Sequence, residues 1–277
     1  MRAAFIQGEP EPIQTIHDVS IPSDYGTLPG RLYHPSTTER LPLILFFHGG
    51  GWTVNDLDTH DRLCTLLAKK SHSTLLAVDY RRAPEHKYPA ALEDAWTSLQ
   101  WAAKNQESLY ADTSKIAVAG DSSGGTLAAA LALMARDRGG PSLTQQILIC
   151  PVTDYLEPAT GSYRDRATGY SLNLPFMQWS WRNYLPADWS RDDGYLFPLR
   201  AEDLHGLPTA LVITAEFDPL RDEGAAYAQR LKEEGVPTDH WHYDDQMHGF
   251  AMQTRTIDRA QQAVHDVATH IASHFSD

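Results

Sequence analysis

Short runs of β-branched and apolar residues alternate with helix-length amphipathic stretches along most of this chain. The runs at 14–21, 30–34, 41–47, 74–80, 115–120, 145–150, 209–214 and 238–243 have the length and composition of strands. Between the later ones, 57–70, 89–105, 123–138, 221–234 and 254–274 carry the apolar spacing of helices. Several strands are apolar nearly throughout, as in Leu41-Pro42-Leu43-Ile44-Leu45-Phe46-Phe47. A strand with one wet face alternates; a strand without alternation is buried on both faces. The pattern predicts an α/β protein with a mostly parallel, eight-stranded sheet and helices on both faces. In such sheets functional groups gather at the carboxyl edge, where strands give way to loops.

One interval breaks the rhythm. Residues 151–206 hold no clear strand, yet they carry Trp179, Trp181 and Trp189, three of the seven Trp. Tyr163, Tyr170, Phe176, Tyr184, Tyr195 and Phe197 accompany them. A structureless loop of this length is improbable inside a compact domain. The stretch reads as an aromatic-rich cap insertion folded over the sheet edge, with helix around 175–184, between core segments 1–150 and 207–277. A peripheral elaboration with no part in the chemistry would have the same composition.

Composition narrows the function classes. The 277 residues carry a formal net charge of −13 and no Lys/Arg cluster, so nucleic acid is not an expected partner. The first ten residues hold one basic residue and no apolar run of signal-peptide length. No stretch approaches the roughly 18 apolar residues of a membrane span. Two Cys, Cys64 and Cys150, is cytosolic usage, and both read as buried free thiols. These features predict a cytoplasmic protein with no membrane partner.

The strongest chemical signal is Gly120-Asp121-Ser122-Ser123-Gly124-Gly125. It follows the apolar run Lys115-Ile116-Ala117-Val118-Ala119 and precedes Thr126-Leu127-Ala128-Ala129-Ala130-Leu131, a strong helix former. That is the strand–turn–helix setting of a nucleophile elbow, in which glycines admit close helix–strand approach and a strained Ser projects above the sheet. Two serines compete. Ser122 occupies the middle of the motif, and Ser123 follows it, where a backbone N–H would face an oxyanion.

The second signal is His48-Gly49-Gly50-Gly51-Trp52, directly after a strand. Three adjacent glycines cost backbone entropy, so bare, close-approaching backbone has a use here. N–H groups of Gly50 and Gly51, with that of Ser123, suit an oxyanion hole. His48 reads as a loop anchor rather than a base. No G-K-[ST] follows, which argues against a phosphate loop.

An elbow of this kind calls for an acid and then a His further along the chain. Asp218 follows the strand at 209–214, and His248, with Gly249 beside it, follows the strand at 238–243. Asp222 is the competing acid, and helix capping accounts for it. The pairs His240/His242 and His270/His274 lack a carboxylate or Cys at recognisable ligand spacing, so no metal is expected.

Taken together these motifs resemble the bacterial hormone-sensitive-lipase-like esterases, the family IV carboxylesterases of the α/β-hydrolase fold. The likeness runs from about Leu28 onward. It includes His48–Trp52, the run Asp79-Tyr80-Arg81-Arg82-Ala83-Pro84-Glu85-His86, then Pro89–Asp94 and Gly120–Gly125, then Asp218–Gly224 and His248-Gly249-Phe250. The resemblance implies Ser122, Asp218 and His248 as a catalytic triad and Gly50, Gly51 and Ser123 as oxyanion donors. It implies hydrolysis of a small-molecule ester with a short to medium acyl chain, without a cofactor. It also leaves room for a homodimer paired through the last strand. An amidase or formamidase would use the same triad; a receptor-like, non-catalytic protein of this fold would lack the catalytic His. Two departures stand out. Ser123 replaces a commoner Ala, and only 47 residues precede His48, so the N-terminal part of the cap is expected to be short or absent.

Overall fold

The computed structural model describes residues 11–275. Eight strands form one sheet in the order β1-β2-β4-β3-β5-β6-β7-β8. They are β1 Thr15–Ser23, β2 Gly26–His34, β3 Leu41–Phe47, β4 Thr74–Val78, β5 Ala111–Asp121, β6 Gln145–Ile149, β7 Thr209–Phe217 and β8 Thr238–Met247. The hairpin β1–β2 and the β2–β4 pair are antiparallel, and β4-β3-β5-β6-β7-β8 are parallel throughout.

Strand β3 shows why the sheet needs cover on both sides. Leu43, Leu45 and Phe47 point into one core with helices α2 (Ala90–Lys104), α4 (Ser123–Asp137) and α7 (Arg221–Glu233). Ile44 and Phe46 point into the other, with α1 (Leu57–Ser71) and α8 (Asp258–Phe275). Helix α1 starts on a capping box, in which the Asp56 carboxylate accepts the Thr59 N–H and the Thr59 hydroxyl oxygen accepts the Asp56 N–H. A short α3 (Gln106–Leu109), absent from the periodicity, leads into β5.

Strands β5 and β8 run longer than their apolar patterns. Strand β5 begins at Ala111, where polar Asp112 pairs with Pro42 before a register shift between Pro42 and Leu43. Strand β8 continues through polar Asp244, Asp245 and Gln246 to Met247, again past a register shift, between Ala215 and Phe217. It is an edge strand, so Asp244 and Asp245 stay exposed there, while Gln246 is buried. The extension delivers His248 directly from the end of the sheet.

The interval 151–206 contains no strand and two helices, α5 (Gly161–Asp165) and α6 (Leu174–Tyr184), plus a 3₁₀ turn at Pro198–Arg200. Its Tyr163, Met177, Trp181, Tyr184 and Phe197 are buried in the same core as α2, α4 and α7. The aromatic content therefore cements the insertion to the sheet's carboxyl edge. Trp52 joins it from below, stacked on Tyr184 with ring centroids 4.2 Å apart and planes 5° from parallel. Such offset pairs add about 0.5–1.5 kcal/mol beyond the area they bury. The expectation of a short N-terminal cap part falls partly on residues 1–10, outside the described residues; from Thr15 to Phe47 the chain is mostly β1, β2 and β3.

Candidate active site

Ser122 stands between β5 and α4 with φ 54° and ψ −123°, a left-handed conformation that a non-glycine residue adopts only at a cost of order 1–3 kcal/mol. What holds it there is close packing beneath it. A Cβ on Gly120 would lie 2.2 Å from the Gly124 carbonyl oxygen, and one on Gly124 would lie 2.0 Å from that of Phe47. Helix α4 can approach β3 and β5 this closely only with glycine at both places. The Ser122 N–H donates to the Ile149 carbonyl at 2.8 Å, which ties the turn to β6.

His248 Nε2 lies 3.0 Å from Ser122 Oγ, and its Nδ1 lies 2.7 Å from Asp218 Oδ2. Asp218 is fully buried on the loop after β7, and its Oδ1 accepts the Leu220 N–H at 2.9 Å. With Nδ1–H donating to Asp218, the Nε2 lone pair faces Ser122. Burial works to lower the His248 pKa, but the charge and hydrogen bond of Asp218, with the charge of Asp121 behind them, raise it above its ordinary value.

The glycine loop lies on the other side of Ser122. Gly50 and Gly51 both have positive φ, 127° and 59°, and Thr53 and Val54 N–H close the loop on the Gly50 carbonyl. The Ser123 hydroxyl accepts the Trp52 N–H at 3.2 Å. An alanine at 123 would leave that N–H unpaired, so the side chain braces the loop while its backbone N–H stays available. Helix α6 rests directly on Gly51, where a Cβ would lie 2.3 Å from Ser180 Oγ and 3.3 Å from the Phe176 ring.

His48 is the anchor the sequence suggested. It is buried, stacks on Tyr80 at 4.4 Å, donates from Nδ1 to the Gly49 carbonyl at 2.8 Å, and burial lowers its pKa. Three further residues have neighbours that the sequence reading did not foresee. Asp121, inside the elbow motif, accepts the Gly49 N–H at 2.9 Å and pairs with His60 Nε2 at 3.1 Å. Burial alone would raise its carboxyl pKa, but His60 and the Gly49 N–H hold it below the usual range, so it stays ionised. Glu223 is buried in α7, accepts the Thr153 N–H at 2.9 Å, and is pushed by burial well above the usual carboxyl range. It is a strut between α7 and the base of the insertion. Cys150 is buried at the end of β6 beside Asp218 and His248. Periodicity marked the strand that Cys150 ends but none of these contacts; an acidic residue within a catalytic motif was the one available hint.

Asp222 needs a correction. It does not cap α7, whose N-terminus has no side-chain cap. Its Oδ2 instead accepts the Ser162 N–H of α5 at 2.7 Å, and Ser162 Oγ donates to the Pro219 carbonyl at 2.7 Å. Asp222 thus fastens the insertion to the loop that carries Asp218. His240 and His242 both turn to the Thr214 hydroxyl, at 2.9 and 3.0 Å, and His270 packs on His274 with ring centroids 4.2 Å apart. Both thiols are free and buried, as expected. Among the described residues no helix is long and apolar enough to cross a membrane.

Comparison with known proteins identifies the family and the fold. A family model described as the alpha/beta hydrolase fold matches residues 44–252. The chain is 42% identical over 241 residues to carboxylic ester hydrolase LipN of Mycobacterium tuberculosis; the match covers 85% of this chain and 64% of LipN, just under two thirds of its length. It is 39% identical over 248 residues to an arylesterase of Saccharolobus solfataricus, covering 89% of this chain and 80% of that protein. Among solved structures, it superposes with TM-score 0.94 and 39% identity on a thermostable carboxylesterase cloned from a metagenomic library, covering 98% of this chain and 92% of the other.

Proposed function

Starting from the fact that the chain belongs to the hormone-sensitive-lipase-like, family IV branch of the α/β-hydrolase fold, we propose that it is a serine carboxylesterase acting through Ser122, His248 and Asp218. One observation carries the reading. The hydrogen-bonded line from Asp218 through His248 to Ser122, at 2.7 and 3.0 Å, ends on a serine held in a strained turn.

In this mechanism His248 Nε2 takes the Ser122 proton as Oγ attacks the ester carbonyl. Asp218 fixes the tautomer that leaves Nε2 unprotonated and stabilises the imidazolium that forms. The developing oxyanion accepts N–H bonds from Gly50, Gly51 and Ser123, donors set in place before reaction. His248 then protonates the departing alcohol. Water, deprotonated by the same imidazole, attacks the acyl-enzyme and frees Ser122. No step asks for a cofactor.

The insertion 151–206 acts as the cap over this site. Helix α6, resting on Gly51, brings Phe176 next to the oxyanion donors and suits esters of short to medium acyl chains.

Labelling with a fluorophosphonate, followed by peptide mapping, tests the assignment. The adduct is expected on Ser122, and Ser122→Ala should abolish both labelling and turnover. An adduct on Ser123, or undiminished hydrolysis by Ser122→Ala, would overturn it.

A further inference from the structure

Cys150 has no part in ester hydrolysis, yet the fold brings it to the back of the site. It follows β6 with φ 47°, and its N–H donates to the Ile213 carbonyl of β7 at 2.8 Å. Its Sγ, a carboxylate oxygen of Asp218 and a ring nitrogen of His248 all lie within 4.8 Å of one another. Three donor types from three separate loops converge there: a thiol, a carboxylate and an imidazole. Cys64 belongs to no such group among the described residues.

From this juxtaposition we infer that Cys150, Asp218 and His248 form an inhibitory site for a thiophilic divalent cation such as Zn²⁺ or Cd²⁺. Donors bound at about 2.0–2.3 Å in a tetrahedron stand roughly 3.3–3.8 Å apart, so separations now within 4.8 Å need change by about 1.5 Å at most. The donor set is the one such metals select: a soft thiolate, an imidazole and one carboxylate, with water in the fourth position. His248 keeps a partly exposed edge, its side chain 12% accessible, through which an ion enters beside the ring.

The protons balance as follows. Coordination replaces the Cys150 S–H bond with an S–metal bond and releases that proton to solvent. The His248 Nδ1–H is replaced by an Nδ1–metal bond, and its proton passes to Nε2. The Asp218 carboxylate exchanges its hydrogen bond from Nδ1 for the metal. With Nε2 protonated, His248 can donate to Ser122 Oγ but no longer accept its proton. The inhibitory half of this inference rests on His248 being the general base; the binding half does not.

The test uses the full chain carrying Cys64→Ser, which leaves Cys150 as the single thiol, titrated with Cd²⁺. The cadmium–thiolate charge-transfer absorption should rise to one Cd²⁺ per chain, and hydrolysis of a short-chain ester should fall along the same curve and return with chelator. Cys150→Ser, and Cys150→Ala as a second variant against misfolding, should lose that absorption and need at least tenfold more Cd²⁺ for half-inhibition relative to their own uninhibited rates. Absence of the band in Cys64→Ser, its persistence in both Cys150 variants, or unchanged sensitivity in them would overturn the site. A saturated band with undiminished hydrolysis would overturn the inhibitory half. Ser122→Ala and His248→Ala assayed without metal test the triad separately, so the two failures are distinguishable.

Discussion

Asp121 Oδ1 accepts the Gly49 N–H at 2.9 Å, which ties the residue before the candidate nucleophile to the residue before the candidate oxyanion donors. Both partners are buried or nearly so, and His60 completes the carboxylate's shell at 3.1 Å. Elbow and glycine loop are thereby set relative to each other by a charged hydrogen bond, of the kind worth about 1.5–3 kcal/mol. Asp121→Ala should lower kcat by up to about 10², the cost typical of losing one oxyanion donor, while KM changes little. Asp121→Asn, which keeps the acceptor, should recover part of the loss. Steady-state kinetics of the two variants decide it; a rise in KM at constant kcat would show that Asp121 serves binding instead.

Asp218 and Asp222 are four residues apart and are expected to behave differently. Removing the orienting carboxylate of a triad costs about 10⁴ in kcat, so Asp218→Asn should fall by that order. Asp222→Asn keeps one acceptor for the Ser162 N–H and loses its ion pair with Arg221, 2.9 Å away. It should lose stability of about 1 kcal/mol and little activity. Comparable losses of kcat in the two variants would refute the assignment of the acid.

The raised His248 pKa has a sign that can be checked. The base must be neutral, so kcat/KM should rise through a single acid limb whose midpoint lies above the ordinary histidine value of about 6.5, then plateau on the alkaline side. Asp218→Asn removes the main raising influence, so the residual activity of that variant should show the limb at lower pH. In stability the same shift acts in reverse. The Asp218–His248 contribution is full below the unfolded-state pKa and is lost as pH rises through the folded-state value. A pH-stat profile with the acid limb below the ordinary histidine value would contradict this.

Gly51 is fixed by two constraints at once, its φ of 59° and the 2.3 Å that separates a Cβ there from Ser180 Oγ. Gly51→Ala should therefore destabilise the protein and lower kcat together. Adding Ser180→Gly clears the clash and leaves the strain. The double variant should regain part of both, by thermal melt and by kinetics. No recovery would mean that φ alone governs the position.

Acyl-chain preference tests the cap. Each buried CH₂ contributes about 0.8 kcal/mol, or roughly fourfold in kcat/KM. With a cap of limited reach over the site, the gain should appear from acetyl to butyryl and hexanoyl esters and cease beyond them. A p-nitrophenyl ester series provides the measurement. Continued improvement out to long acyl chains would show that the insertion does not limit the pocket.

Sequence alone determined the parts that depend on contiguous residues. The unbroken apolar run of β3, the strand–turn–helix setting between β5 and α4 and the glycine run after Phe47 are all local patterns. Helix around 175–184 was also expected within the insertion, from its length and aromatic content, and α6 spans Leu174–Tyr184. Tertiary structure alone decided which distant side chains meet. Asp121 finds Gly49 across 72 residues, Asp222 finds Ser162 across 60, and Cys150 comes to lie beside Asp218 and His248. These meetings follow from the sheet order β3-β5-β6-β7-β8, which brings the carboxyl ends of strands far apart in the chain to one edge. Periodicity records which face of an element is buried. It carries no information on which buried polar groups will be neighbours, because that is set by strand order and by the close approach that glycines at 49, 51, 120 and 124 permit.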